Sequence, residues 1–233
     1  MDSGSISTEA VAELTAELGA LLKGAQDQAP AQPSPAASSA PAPSRPAPEP
    51  AAKAPAAPAP KPVEFSDVDP KAYYYDAVQW AVQQGITSGT SETTFSPDQE
   101  CTCGQTIALL WRSAGSPAPK GQNNPFTDVK EDAFYYQPAL WAAERGVVSG
   151  TALHPDEPVT RGQFAAFLYR NAGSPAVAGK SAFSDVPEDA PYAQAVAWVA
   201  GQGIASGTGE NTFSPDAVCT RGQIVTFLYR AKK

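Results

Sequence analysis

Residues 219–223 read CTRGQ; the same element stands at 159–163 as VTRGQ and at 101–105 as CTCGQ. Thr-x-Gly-Gln has the form of a capping box. The Thr hydroxyl accepts from a first-turn amide, and a Gln three residues on reaches back to the N-cap. Each copy runs into an apolar stripe at helical spacing: Ile107, Leu110 and Trp111; Phe164, Phe167 and Leu168; Ile224, Phe227 and Leu228. Arg112, Arg170 and Arg230 close the stripes, where positive charge suits the helix dipole. Three helices of one kind are therefore predicted to begin at these threonines.

Upstream of each copy the landmarks recur in order. FSDV at 65–68 returns as FTDV at 126–129 and FSDV at 183–186, so the spacings are 61 and 57 residues. Trp80, Trp141 and Trp198 keep those spacings, as do Gly85, Gly146 and Gly203. SGT follows at 88–90, 149–151 and 206–208, and then Pro97, Pro155 and Pro215, each before Asp, mark a turn. Copy two is shortened here: it reads SGTALHPD where copy one reads SGTSETTFSPD. Tyr74, Ala77, Val78, Ala81 and Val82 predict a first helix ended by a left-handed glycine at Gly85. The Asp of each F-[ST]-D-V is expected to cap or brace the start of that helix. One helix pair cannot bury its apolar face alone, but three copies can share a core. The fold class is mainly α: three helix-loop-helix repeats in a pseudo-three-fold bundle, over 64–117, 118–175 and 176–233.

The remainder has a different composition. Residues 30–63 form a Pro/Ala-rich stretch with 12 Pro and 12 Ala. It has little to bury and cannot run a helix through its prolines, so it reads as a disordered or extended linker. Within 1–29, Ser7 is a candidate N-cap, and Val11, Leu14, Leu18, Leu21 and Leu22 form an apolar stripe. Such a short amphipathic helix is marginal alone and suits self-association through 7–24 or docking on a partner. The formal net charge is -8 and no Lys/Arg cluster occurs, which argues against nucleic acid and anionic membranes. No apolar run reaches transmembrane length. MDSGSISTEA lacks a charged region followed by an apolar core, so it does not read as a secretory signal.

Together the landmarks resemble the S-layer homology (SLH) domain family: Phe-x-Asp-Val, an aromatic helix ending in Gly-Ile or Gly-Val, Ser-Gly-Thr, Phe-x-Pro-Asp and Thr-Arg-Gly-Gln. The resemblance covers about 170 of 233 residues. It implies a three-pronged helical bundle that holds exported proteins non-covalently on the bacterial cell surface. It further implies binding, in grooves between adjacent repeats, of a secondary cell-wall polysaccharide, often pyruvylated, or of a peptidoglycan-linked polymer. The family's usual element is Thr-Arg-Ala-Glu, whose Arg commonly contacts the ligand; that role maps to Arg161 and Arg221, with Cys103 in the third place. The family's Trp near the start of the first helix is replaced by Tyr73 or Tyr74, Phe134 or Tyr135, and Tyr192. The alternative is a structural or lattice-forming surface-layer protein acting through protein contacts.

The candidate site residues each carry two readings. Arg161 and Arg221, at a helix start with free amides, suit a carboxylate held by a planar fork, or they brace the turns at Asp156 and Asp216. Trp80, Trp141 and Trp198 either face a sugar or pack in the core. Gly89, Gly150 and Gly207 either admit a ligand to the backbone or serve a tight loop. Asp67, Asp128 and Asp185 join the candidate set beside their bracing role. Cys101 and Cys219 read as small buried hydrophobes, whereas Cys103 stands where an exposed Arg is expected. A thiol at a helix N-terminus can have a lowered pKa, so a redox role is the other reading of Cys103. No nucleophile assembles around the single histidine, His154, which reads as turn decoration. A non-catalytic module without cofactor or metal is expected.

Overall fold

The fold is that of a computed structural model, which describes residues 64–121 and 123–233. The helix expected over 7–24 and the linker expected over 30–63 lie outside the described residues. Six helices follow in order: α1 Tyr75–Gln83, α2 Cys103–Ser113, α3 Tyr136–Glu144, α4 Arg161–Asn171, α5 Ala193–Gly201 and α6 Arg221–Arg230. Each repeat contributes a short helix and then a longer one, and among the described residues only isolated β-bridges accompany them.

The longer helices start as the capping boxes predict. Thr102, Thr160 and Thr220 are extended N-caps that accept from the amides of Gln105, Gln163 and Gln223. Gln105 and Gln163 reach back to complete the box. In α6 the return bond is missing, and Gln223 Oε1 is buried without a partner. The short helices end before Gly85, Gly146 and Gly203, whose φ values of 68°, 66° and 67° are the expected left-handed caps.

The start of the short helices departs from expectation. Their N-caps are Tyr74, Tyr135 and Tyr192, with no side-chain cap. Asp67 instead accepts from the amides of Phe95 (2.9 Å) and Ser96 (2.7 Å), far along the chain. Asp128 does the same with Leu153 and His154, and Asp185 with Phe213 and Ser214. The reason is local. Ser96, His154 and Ser214 have φ of 58°, 53° and 54°, a conformation that costs a non-glycine residue about 1–3 kcal/mol. A carboxylate on two successive amides holds that turn, so His154 sits in a strained and braced position.

The helices pair across repeats. α2 packs on α3, α4 on α5, and α6 closes back onto α1, so each two-helix prong draws on two neighbouring repeats. At the centre, backbone bonds form a closed ring: Cys101 N–H to Cys219 O (3.0 Å), Cys219 N–H to Val159 O (2.8 Å), Val159 N–H to Cys101 O (2.9 Å). The three side chains are fully buried, as are Val78, Ile107, Phe164 and Ile224. Among the described residues no helix is long and apolar enough to cross a membrane.

Candidate functional site: the interfaces between repeats

Each long helix drives its first turn into the following repeat. Arg161 and Gly162 donate their amides to Ala217 O and Pro215 O. Arg221 and Gly222 donate to Gln99 O and Pro97 O, and Cys103 and Gly104 to Glu157 O and Pro155 O. The amides expected to be free for an anion are therefore taken by the Pro-Asp turn next door. This satisfies the orphan donors that every helix start leaves.

The arginine side chains follow the same path. Arg161 is 4% exposed; its Nε donates to Phe213 O (2.9 Å) and its Nη2 to Ser206 O (3.0 Å). Its guanidinium lies 4.7 Å from the Phe213 ring centroid and 5.5 Å from that of Phe227. Arg221 is 7% exposed, donates from Nε to Phe95 O (3.0 Å) and from Nη2 to Thr87 Oγ1 (3.4 Å), and covers Phe95. Both brace the next repeat's loop, Arg161 through two carbonyls and Arg221 through one carbonyl and the Thr87 hydroxyl, not through Asp156 or Asp216. Neither has a carboxylate within 4.0 Å among the described residues, so two cations are buried without an ion pair. Burial lowers the Arg161 pKa, the adverse sign for a charged group.

The position of Cys103 overturns the idea that an exposed residue belongs there: Cys103 is 7% exposed and its arginine counterparts are buried. Nor is its thiol activated. Burial first, then Asp128 and Glu157, push its pKa up to about 12. Cys219 is also raised to about 12 and Cys101 to about 11, both chiefly by burial. All three thiols stay neutral at physiological pH and are poor nucleophiles.

The tryptophans lie elsewhere. Trp141 is buried, Trp80 packs on Tyr229 and Trp198 on Tyr169, near the far ends of α6 and α4. Tyr229 is eight residues beyond Arg221, about 12 Å along the helix. The structure thus separates the Trp set from the Arg set and places it in helix packing. Gly89 and Gly150 take φ of 92° and 110°, and a Cβ at Gly207 would collide with Thr212 O, so all three serve tight loops, those of Gly89 and Gly207 beside Arg221 and Arg161 and that of Gly150 beside Cys103.

The sequence leaves open which aromatic residue at each short-helix start is presented. Tyr74, Tyr135 and Tyr192 pack on the helix-start glycines: a Cβ at Gly222, Gly104 or Gly162 would stand 3.0, 2.7 or 3.1 Å from the respective ring. The residues before them are the exposed ones. Tyr73 is 61% and Phe134 63% exposed, while repeat three has Pro191 in that slot. The Tyr73 hydroxyl stands beside the Thr220 side chain, in the fields of Asp98 and Arg161. The repeat relation carries this pairing to Phe134 with Thr102 and Arg221, and to Pro191 with Thr160 and Cys103. Repeats one and two therefore present an exposed ring at this slot and repeat three does not, and Arg161 reaches the Tyr73 hydroxyl through its field rather than by contact.

The chain matches the S-layer homology domain model over residues 64–106, 125–165 and 182–225, more than half its length. The chain belongs to the S-layer homology domain family. Domains of this family are non-catalytic cell-wall anchoring modules. The chain is also 35% identical over 109 residues to an endoglucanase of Bacillus sp. (strain KSM-635), covering 46% of this chain and 11% of that protein. It is 34% identical over 117 residues to the surface-layer 125 kDa protein of Lysinibacillus sphaericus, covering 46% and 10%. An exoglucanase of Acetivibrio thermocellus is 23% identical over 177 residues, covering 72% and 16%. The chain thus spans only a small part of the length of these relatives.

Proposed function

We propose that this SLH triplet anchors to an acidic cell-wall polysaccharide at the bacterial surface, through the faces formed by Tyr73 with Arg161 and Phe134 with Arg221. The observation that carries the reading is the pair of buried guanidinium groups with no carboxylate within 4.0 Å among the described residues, Asp185 reaching Arg161 only through its field. Burying an unpaired charge is costly, and an anionic substituent on the ligand offsets that cost. A carboxylate such as a pyruvyl ketal supplies the charge and also matches the planar fork. The exposed rings of Tyr73 and Phe134 supply apolar faces for a sugar. Gly89 and Gly207 hold the loops that these arginines brace, whereas Asp67, Asp128 and Asp185 act on the loops rather than on the ligand. The same reading leaves the Cys103–Pro191 face silent toward an acidic polymer.

Co-sedimentation with purified cell-wall sacculi tests this. Tyr73→Ala combined with Phe134→Ala is expected to weaken binding at least about ten-fold, as for loss of about 1.4 kcal/mol of contact. Because both rings are exposed, the thermal transition should stay in place. The reading fails if sacculi do not retain the chain, or if the double change leaves retention untouched. Sacculi stripped of pyruvyl groups should retain less protein; equal retention would remove the acidic substituent from the proposal.

A further inference from the structure

The interface between repeats one and two contains a cavity of about 170 Å3, lined by Cys103, Ser149, Leu153, Glu157 and Phe167 among others. Its place in the repeat is informative. Ser149 and Leu153 correspond to Ser206 and Phe213, whose carbonyls hold Arg161. Phe167 corresponds to Phe227, whose ring lies near the Arg161 guanidinium. Cys103 corresponds to Arg161 and Arg221 themselves and ends at its γ atom, short of where their guanidinium groups begin. Among the described residues no donor reaches Leu153 O or Ser149 O. The cavity is thus the space of a missing arginine, with the receiving carbonyls still in place.

We propose that this cavity is an acceptor site for a guanidinium group supplied in trans, either by a small alkylguanidine or by an arginine side chain of a partner. Two carbonyls meet the donors, Phe167 offers a ring face, and Asp128 and Glu157 make the site electronegative, as their effect on the Cys103 thiol shows. Arg170 also lines the cavity, but its Nη1 is committed to Val147 O (3.1 Å). The volume falls below the roughly 300–1,000 Å3 of pockets that take drug-sized ligands, so a single planar cation fits better than a sugar ring. Leu153 stands where Phe95 and Phe213 provide a second ring, so binding here is weaker than an arginine held in cis. This site is distinct from the faces assigned to the polysaccharide and does not depend on that assignment.

The test uses the full chain and methylguanidinium chloride at millimolar concentration, far below the molar range in which guanidinium denatures. A saturable rise in Tm of about 3 °C is expected, with none from tetramethylammonium chloride at equal ionic strength. Cys103→Arg fills the site in cis and should abolish the response. Titration calorimetry of methylguanidinium into the unaltered chain should show saturable binding to one site, a readout that stands even if the variant does not fold. An acetylated Gly-Arg-Gly amide forms the second arm. A response to both ligands, or to the peptide alone, supports the site, and the latter assigns it to a partner's side chain. Absence of saturable stabilisation and of calorimetric binding with either ligand, or an equal response in Cys103→Arg, overturns it.

Discussion

At Arg161 and Arg221 one buried side chain braces a neighbouring repeat, and in the proposed function its charge also attracts the ligand. The bracing duty dominates stability. Arg161→Ala orphans Phe213 O and Ser206 O and empties the space over two rings. We expect a loss of about 2–4 kcal/mol, read from urea unfolding. Arg161→Lys should recover only part of it, because an ammonium cannot reproduce the fork. The loop carboxylates make a separate prediction. Burial raises the pKa of Asp128 and Asp185, but the backbone amides they accept outweigh it, and both end below the ordinary value. A depressed folded pKa contributes stability that is fully present above the unfolded value, about 3.9, and is lost as pH falls through the folded one. The urea midpoint should therefore hold steady near neutrality and fall in the acid range. Asp128→Asn with Asp185→Asn should lower it near neutrality and flatten its acid limb; an unchanged slope would separate these carboxylates from the acid transition.

At the scale of the helix, the TxGQ starts were plain in the sequence because a capping box is a local device with a fixed spacing. Thr160→Ala should cost about 1 kcal/mol in equilibrium unfolding. The Gly in that element was less legible, since its reason lies in another repeat. At Gly104 a Cβ would meet the Tyr135 ring at 2.7 Å, whereas at Gly162 the approach to Tyr192 is 3.1 Å. Ala gains about 1 kcal/mol of helix propensity over Gly but must here displace a packed ring, at about 1–3 kcal/mol. Gly104→Ala should therefore lower Tm while Gly162→Ala stays near neutral; equal effects would show that the rings give way freely. The start of the short helices misled for a related reason. Asp67 lies where an N-cap could stand, yet the strained turn at Ser96 claims its carboxylate. Competition between two local uses of one Asp is decided by tertiary placement. The arginines were legible as special residues but not as buried ones, because the carbonyls that receive them lie one repeat further on.

For the molecule as a whole, the repeat count and the pseudo-three-fold bundle were readable, because one helix pair cannot bury its apolar face alone. Which helices pair across repeats and which bonds close the ring were not, since periodicity carries no partner information. The structure closes: α6 packs on α1, Arg221 of the last repeat enters the first repeat's loop, and three backbone bonds join Cys101, Cys219 and Val159. A linear solenoid loses stability roughly in proportion to the repeats removed, because each unit contacts only its neighbours. A ring behaves otherwise. Removing residues 182–233 would take the partners of both α1 and α4, break two of the three central bonds, and leave Arg161 without the carbonyls of Phe213 and Ser206. Two of the three interfaces vanish with one repeat. The intact chain should therefore unfold in one cooperative step, whereas a chain ending at residue 181 should lack a sigmoidal urea transition and amide chemical-shift dispersion. A truncated chain with a sharp transition, and an m-value reduced only in proportion to the surface lost, would show that closure is incidental to folding.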